Sequence, residues 1–154
     1  MTPNVFPGAF PHQHHDPRGL VERIQAQLRD RIEEAVDMAG LELMVELRRR
    51  EGRPPPETSR DADRREFEQI STALLAHVRD AFRAELDAAE RAELDRAEGG
   101  HDGPREILLA GQVFLARRLP DYWQRLERNQ TAYATARLDA PGPKGGWLGR
   151  LFGG

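Results

Sequence analysis

His12, Gln13, His14, His15 and Asp16 place three imidazoles and a carboxylate within five consecutive residues. Imidazole nitrogen binds divalent transition metals. A structural zinc site, however, needs about four ligands in a fixed frame, and the sequence has no cysteine and no second histidine cluster to complete one. The cluster therefore reads as a solvated arm with adventitious metal affinity, and neither a metal nor another cofactor is expected. A carboxylate-bridged metal pair in a helical bundle would need Glu-x-x-His motifs facing inward. Glu98-Gly99-Gly100-His101 fits that spacing, but it crosses a helix-breaking glycine pair; His77 has Leu74 where the glutamate should be. No nucleophile elbow or glycine-rich phosphate loop is present. The many carboxylates sit among arginines at helical-neighbour spacing, as Asp80 does with Arg83. That is the pattern of solvated faces and surface ion pairs. No enzymatic activity is expected.

The chemistry at the C-terminal end is that of binding. Trp147, Leu148, Leu151 and Phe152 follow a spacer of proline and glycine that begins at Ala140. Their spacing puts all four on one face of a helix. Burying each is worth about 1.5–3 kcal/mol, and a flexible tether is a poor place for a core element. A bilayer surface, a groove on a partner and the body of the chain itself are the candidate destinations.

This segment resembles the C-terminal membrane-targeting helix of MinD-type cell-division ATPases. Trp147 takes the place of that helix's first aromatic, and Leu148, Arg150, Leu151, Phe152, Gly153 and Gly154 match directly. Gly149 stands where a basic residue is usual. The likeness covers residues 144–154 alone, because the rest of the chain has no G-x-x-x-x-G-K-[ST] loop. It implies reversible attachment to the cytoplasmic face of a bacterial inner membrane. Trp147, Leu148, Leu151 and Phe152 would insert, and Lys144 and Arg150 would be drawn to anionic headgroups. The alternative is a soluble helical protein whose tail docks in a groove of a partner or shell protein, with the same apolar anchors.

Composition agrees with a single cytoplasmic domain. The chain has 154 residues, of which 38% are hydrophobic and 32% charged, with mean hydropathy −0.71. No run approaches the roughly 20 apolar residues of a spanning helix, and no secretory leader is recognisable. Residues 1–116 carry 16 arginines against 23 acids, whereas residues 117–154 carry 7 basic residues against 3 acids. An acidic body argues against nucleic acid as a partner; a basic C-terminal part suits anionic lipid.

Four segments have to position these groups. Residues 1–15 form an extended or disordered arm with apolar points at Val5, Phe6 and Phe10. Residues 16–139 form the helical domain, 140–146 a flexible linker and 147–154 the amphipathic tail. Asp16-Pro17 starts a first helix, striped by Leu20, Ile24, Leu28, Ile32, Val36, Leu43 and Leu47 and ended by Gly52 and Pro54–Pro56. A capping box from Thr58 to Asp61 starts a second, striped by Phe67, Ile70, Leu74, Val78, Phe82 and Leu86 and stopped at Gly99-Gly100. Beyond Leu86 it has little apolar face and is expected to project or to pair weakly. Gly103-Pro104 opens a third helix, which Pro120 should kink or split. Arg117, Arg118, Tyr122 and Trp123 around that proline read as the edge of the core first, with a membrane-interface belt or a phosphate-binding patch as alternatives. The fold expected is all-α, an elongated antiparallel hairpin or three-helix bundle with helices of about 50 Å. Apolar residues spread around the first helix between Met38 and Leu47, so self-association is expected, with Leu41, Leu43, Met44 and Leu47 at the interface.

Overall fold

The first helix begins where Pro17 fixes φ and its missing N–H costs nothing. In the computed structural model, which describes residues 17–140, α1 spans Pro17–Arg50. Its end is built from backbone. Gly52 takes φ 72°, the Gly52 N–H donates to the Arg49 carbonyl and the Arg53 N–H to the Arg48 carbonyl. This reverse turn needs the left-handed residue that glycine supplies. Arg48, Arg49 and Arg50 in the last turn complement the helix dipole.

α2 spans Asp61–Ala84. The capping box expected from Thr58 to Asp61 does not form, since the residue at the cap is Arg60 with no side-chain bond. Asp63 instead reaches back, its Oδ2 accepting from the Glu57 N–H at 2.8 Å. The second helix also does not run on to Gly99. It breaks at Glu85–Asp87, and α3 spans Ala88–Glu98. The capping box that was expected at residue 58 is found here: Asp87 accepts from the Glu90 N–H at 2.8 Å, and Glu90 accepts from the Asp87 N–H at 3.0 Å.

Nor does α3 project into solvent. Leu94 is fully buried, and Glu98 is clamped by Arg79 of α2 through Nε–Oε2 at 2.9 Å and Nη2–Oε1 at 2.8 Å. α4 spans Pro104–Arg118, after Gly103 at φ 86°. It crosses α3 so closely that a Cβ on Gly111 would lie 2.6 Å from Glu98 Oε2 and 3.1 Å from Leu94 Cδ1. Pro120 splits the last helical region, and α5 spans Tyr122–Asp139.

The described residues thus form five helices and no strand. Ile32, Val36, Leu74, Phe82, Leu109 and Leu126 belong to the main core, and Leu43, Met44 and Ile70 form a smaller one beside it. Leu109 of α4 is fully buried. Tyr122 stacks on Phe82 at 5.4 Å, and its hydroxyl donates to Gln112 Oε1 at 2.7 Å. Burial of this phenol pushes its pKa well above the usual value. Tyr122→Phe removes the donor from a buried amide oxygen, so a loss of about 1–3 kcal/mol in urea unfolding is expected.

Candidate interaction surface

An α-helix repeats every 3.6 residues, so α1 can carry two apolar faces if its sequence allows. It does. Ile32, Val36, Leu43 and Met44 turn inward and are at most 3% exposed. On the side away from them lie Leu20, Ile24, Met38, Leu41 and Val45, between 40% and 62% exposed, with Val21 at the border. These six and Trp123 are the exposed large hydrophobics among the described residues. Apolar side chains gathered on one exposed helix face mark an interaction site more often than scattered ones do.

The residues expected at a self-association interface, Leu41, Leu43, Met44 and Leu47, do not share one exposed face. Leu43 and Met44 lie in the chain's own smaller core, and Leu47 is half-buried against it. Of the four only Leu41 is exposed. Trp123 flanks the outer stripe, with the Arg31 guanidinium 4.7 Å above its ring. Tyr122 and Trp123 form the core edge as expected, one inside and one out.

Ion pairs hold α1 at its angle and fix which face turns outward. Arg105 of α4 reaches Glu33 at 3.0 Å, Asp37 at 2.6 Å and the Ser71 hydroxyl at 3.1 Å; that hydroxyl donates to Asp37 at 2.7 Å. α1, α2 and α4 meet at this cluster. Close by, Gly40 lets α1 approach α2: a Cβ there would lie 3.3 Å from the Ser71 Cα. Arg29 adds a second clasp to α4 through both oxygens of Glu106. Buried Arg48 closes the other end, donating to Asp63 and Glu66 at 2.8 Å each.

Arginine hydrogen bonds hold Glu33, Glu66, Asp63 and Glu46 in the ionised form. Partial burial pushes Glu33 and Glu66 upward, but hydrogen bonds from Arg105 and from Arg53 and Arg48 outweigh it, and both end below the usual glutamate range. The hydrogen bond from Arg48, with the Glu57 N–H, lowers Asp63, and Arg49 with Arg50 brings Glu46 down to about 2. A carboxylate whose pKa falls on folding contributes stability above its unfolded pKa, and that stability is lost as pH falls through the folded value. The thermal midpoint is accordingly expected to be flat from about pH 8 to about pH 5.5 and to drop steadily below about pH 4.5. Circular dichroism melts across that range check it. A midpoint indifferent to acid would mean the clasps contribute nothing.

A cleft of about 430 Å³ lies between the first half of α1, the end of α3 and α4. Ala26, Ala110, Val113 and Phe114 line it, with Arg29 and His101 among its polar residues. The Glu98-x-x-His101 pair separates here. Glu98 is buried against Arg79, whereas His101 lies beyond the glycine pair and is exposed. His77 is likewise exposed, packed 4.9 Å from the Tyr133 ring. Asp80 pairs with Arg79 rather than Arg83, which binds Asp95 instead. Among the described residues no three histidine, aspartate or glutamate side chains gather as metal ligands. No described helix is long and apolar enough to cross a membrane.

His12, His14 and His15 lie outside the described residues, as do Lys144, Trp147, Leu148, Arg150, Leu151 and Phe152. The structure does fix the point from which the C-terminal segment departs. α5 ends at Asp139, its last turn held to the end of α1 by Arg50, whose Nη1 donates to the Leu138 carbonyl at 3.1 Å. Among the described residues, fold and surface define an all-α domain of five helices with an exposed apolar stripe on the longest of them. No protein-family model, curated protein or solved structure matches the chain.

Proposed function

We propose that this chain is a helical adaptor without catalytic activity of its own, attached reversibly to an anionic membrane surface through residues 147–152. It presents its helical body to a protein partner at the cytoplasmic face of the inner membrane. The observation that carries the reading is the order of parts: a clasped helical body ending at Asp139, a proline- and glycine-rich stretch of sequence from Ala140, then Trp147, Leu148, Leu151 and Phe152 at a spacing that a helix would gather on one face, with Arg150 between them in sequence. The resemblance of that last segment to a membrane-targeting helix supplies the ligand class. Because Arg50 fastens the last turn of α5, the spacer starts from a fixed corner of the body.

The test is co-sedimentation with vesicles. The full chain is expected to pellet with vesicles containing anionic lipid and to stay in solution with neutral ones. A form ending at Pro143 is expected to stay in solution with both. If the full chain ignores anionic vesicles yet needs the same residues to bind a protein, the tail is a groove-docking peptide and the membrane reading fails.

A further inference from the structure

The outer face of α1 has an order that its exposure alone does not require. Leu20, Ile24, Gln27, Arg31, Glu34, Met38, Leu41 and Val45 are spaced alternately four and three residues apart, and all eight are exposed. Alternating steps of four and three are the spacing of a coiled-coil seam. Its two ends are apolar and its centre is polar, with one cation and one anion. We propose that this seam is an antiparallel two-fold interface with a second copy of the same chain.

The charges choose the occupant and its direction. In an antiparallel pair the two kinds of seam position face each other across the axis. With the axis passing between Ile32 and Glu33, Leu20 meets Val45 of the second copy, Ile24 meets Leu41 and Gln27 meets Met38. At the centre Arg31 meets Glu34 of the second copy, and Glu34 meets its Arg31. The apolar ends thus meet apolar residues, Gln27 lies against the flexible Met38, and the central cation and anion pair twice. A parallel pair would instead set Arg31 against Arg31 and Glu34 against Glu34, which is repulsive. A closed two-fold contact of this sort is self-complementary by construction.

Among the described residues nothing covers the seam. Asp30 and Asp37 flank it on one side, and each already has an arginine partner, Arg29 and Arg105 respectively. Trp123 flanks the other side, with the Arg31 guanidinium over its ring. The pairing also has a consequence for attachment. The two Arg50 ends lie about 50 Å apart at 1.5 Å per residue, so the two spacers leave from opposite ends of the dimer.

The inference rests on α1 and not on the tail. Analytical ultracentrifugation of the full chain tests it, with the Phe152→Glu chain as a companion that is expected to dimerise as the wild type does. The wild type is expected to sediment as a dimer at about 10 µM. Arg31→Glu and Glu34→Arg are each expected to weaken that dimer by at least about tenfold, and their equimolar mixture to restore it as a heterodimer. The chain has no cysteine, so Ile24→Cys mixed with Leu41→Cys reads the direction, with oxidative cross-linking expected between the unlike chains. A wild type still monomeric at about 100 µM, or a charge-reversal mixture no more associated than its components, overturns the proposal. Cross-linking of Ile24→Cys only to itself overturns the antiparallel arrangement.

Discussion

Phe152→Glu is expected to abolish co-sedimentation of the full chain with vesicles containing anionic lipid, and Trp147→Glu to do the same. A buried phenylalanine contributes about 1.5–3 kcal/mol, which is a factor of about 10 to 100 in affinity. The glutamate removes that contribution and adds a charge that anionic headgroups repel. The anchor has little to spare. Gly149 and the lead from Ala140 carry low helix propensity, and ordering each backbone residue costs about 1–2 kcal/mol before hydrogen bonds offset it. Lys144 and Arg150 return about 1 kcal/mol each on an anionic surface. One such tail is a weak anchor that needs a second signal for stable attachment. In the proposed two-fold pair a second copy of the chain supplies it through effective concentration. Arg31→Glu, which leaves the tail untouched, is therefore expected to weaken vesicle binding at least about tenfold. If Phe152→Glu leaves lipid binding intact and ends binding to a protein, the apolar residues serve a groove.

Phe82→Ala is expected to be the most destabilising single change in the body, by about 3–5 kcal/mol. Phe82 is 1% exposed and lies flat against Tyr122, with 11° between the rings. It therefore joins α2 to α5 and sits just before the break at Glu85. Removing the ring loses its burial and leaves a cavity whose walls, Tyr122 among them, are held by their own contacts. For a domain of this size the change corresponds to a thermal midpoint lower by about 10–20 °C. Urea unfolding at neutral pH checks it, read as a lower midpoint at unchanged slope. A loss below about 1 kcal/mol would mean that α5 closes over the gap and that the stacked pair is not a fixed contact.

The start and end of α1, the loop at Pro54–Pro56, the turn at Gly103-Pro104 and the split at Pro120 were all legible in the sequence, because each is imposed locally. Proline lacks a donor and glycine accepts positive φ wherever the chain places them. The break between α2 and α3 went unread because Glu85-Leu86-Asp87 contains neither residue. Its signal was present all the same: Asp87-x-x-Glu90 has the spacing of a capping box. What turns α3 back is then tertiary, one fully buried leucine at position 94 and the clamp of Arg79 on Glu98. Sparse apolar content had suggested a projecting arm. A single buried leucine is enough where Gly111 lets the facing helix come close.

The candidate site divides the same way. The apolar spacing of Trp147, Leu148, Leu151 and Phe152 is written wholly in the sequence, since it is a matter of their order alone. That α1 is apolar on two sides is also written there. Which side would face the core was not, and Leu43 and Met44 went inside while Met38, Leu41 and Val45 stayed out. Periodicity gives a residue's angle about its own helix axis and nothing more. The rotation of that helix against its neighbours is set by contacts far apart in the chain, here Arg105 with Glu33 and Asp37, Arg48 with Asp63, and Gly40 against Ser71. Only the packed structure brings those residues together, so only it decides which apolar face remains for a partner.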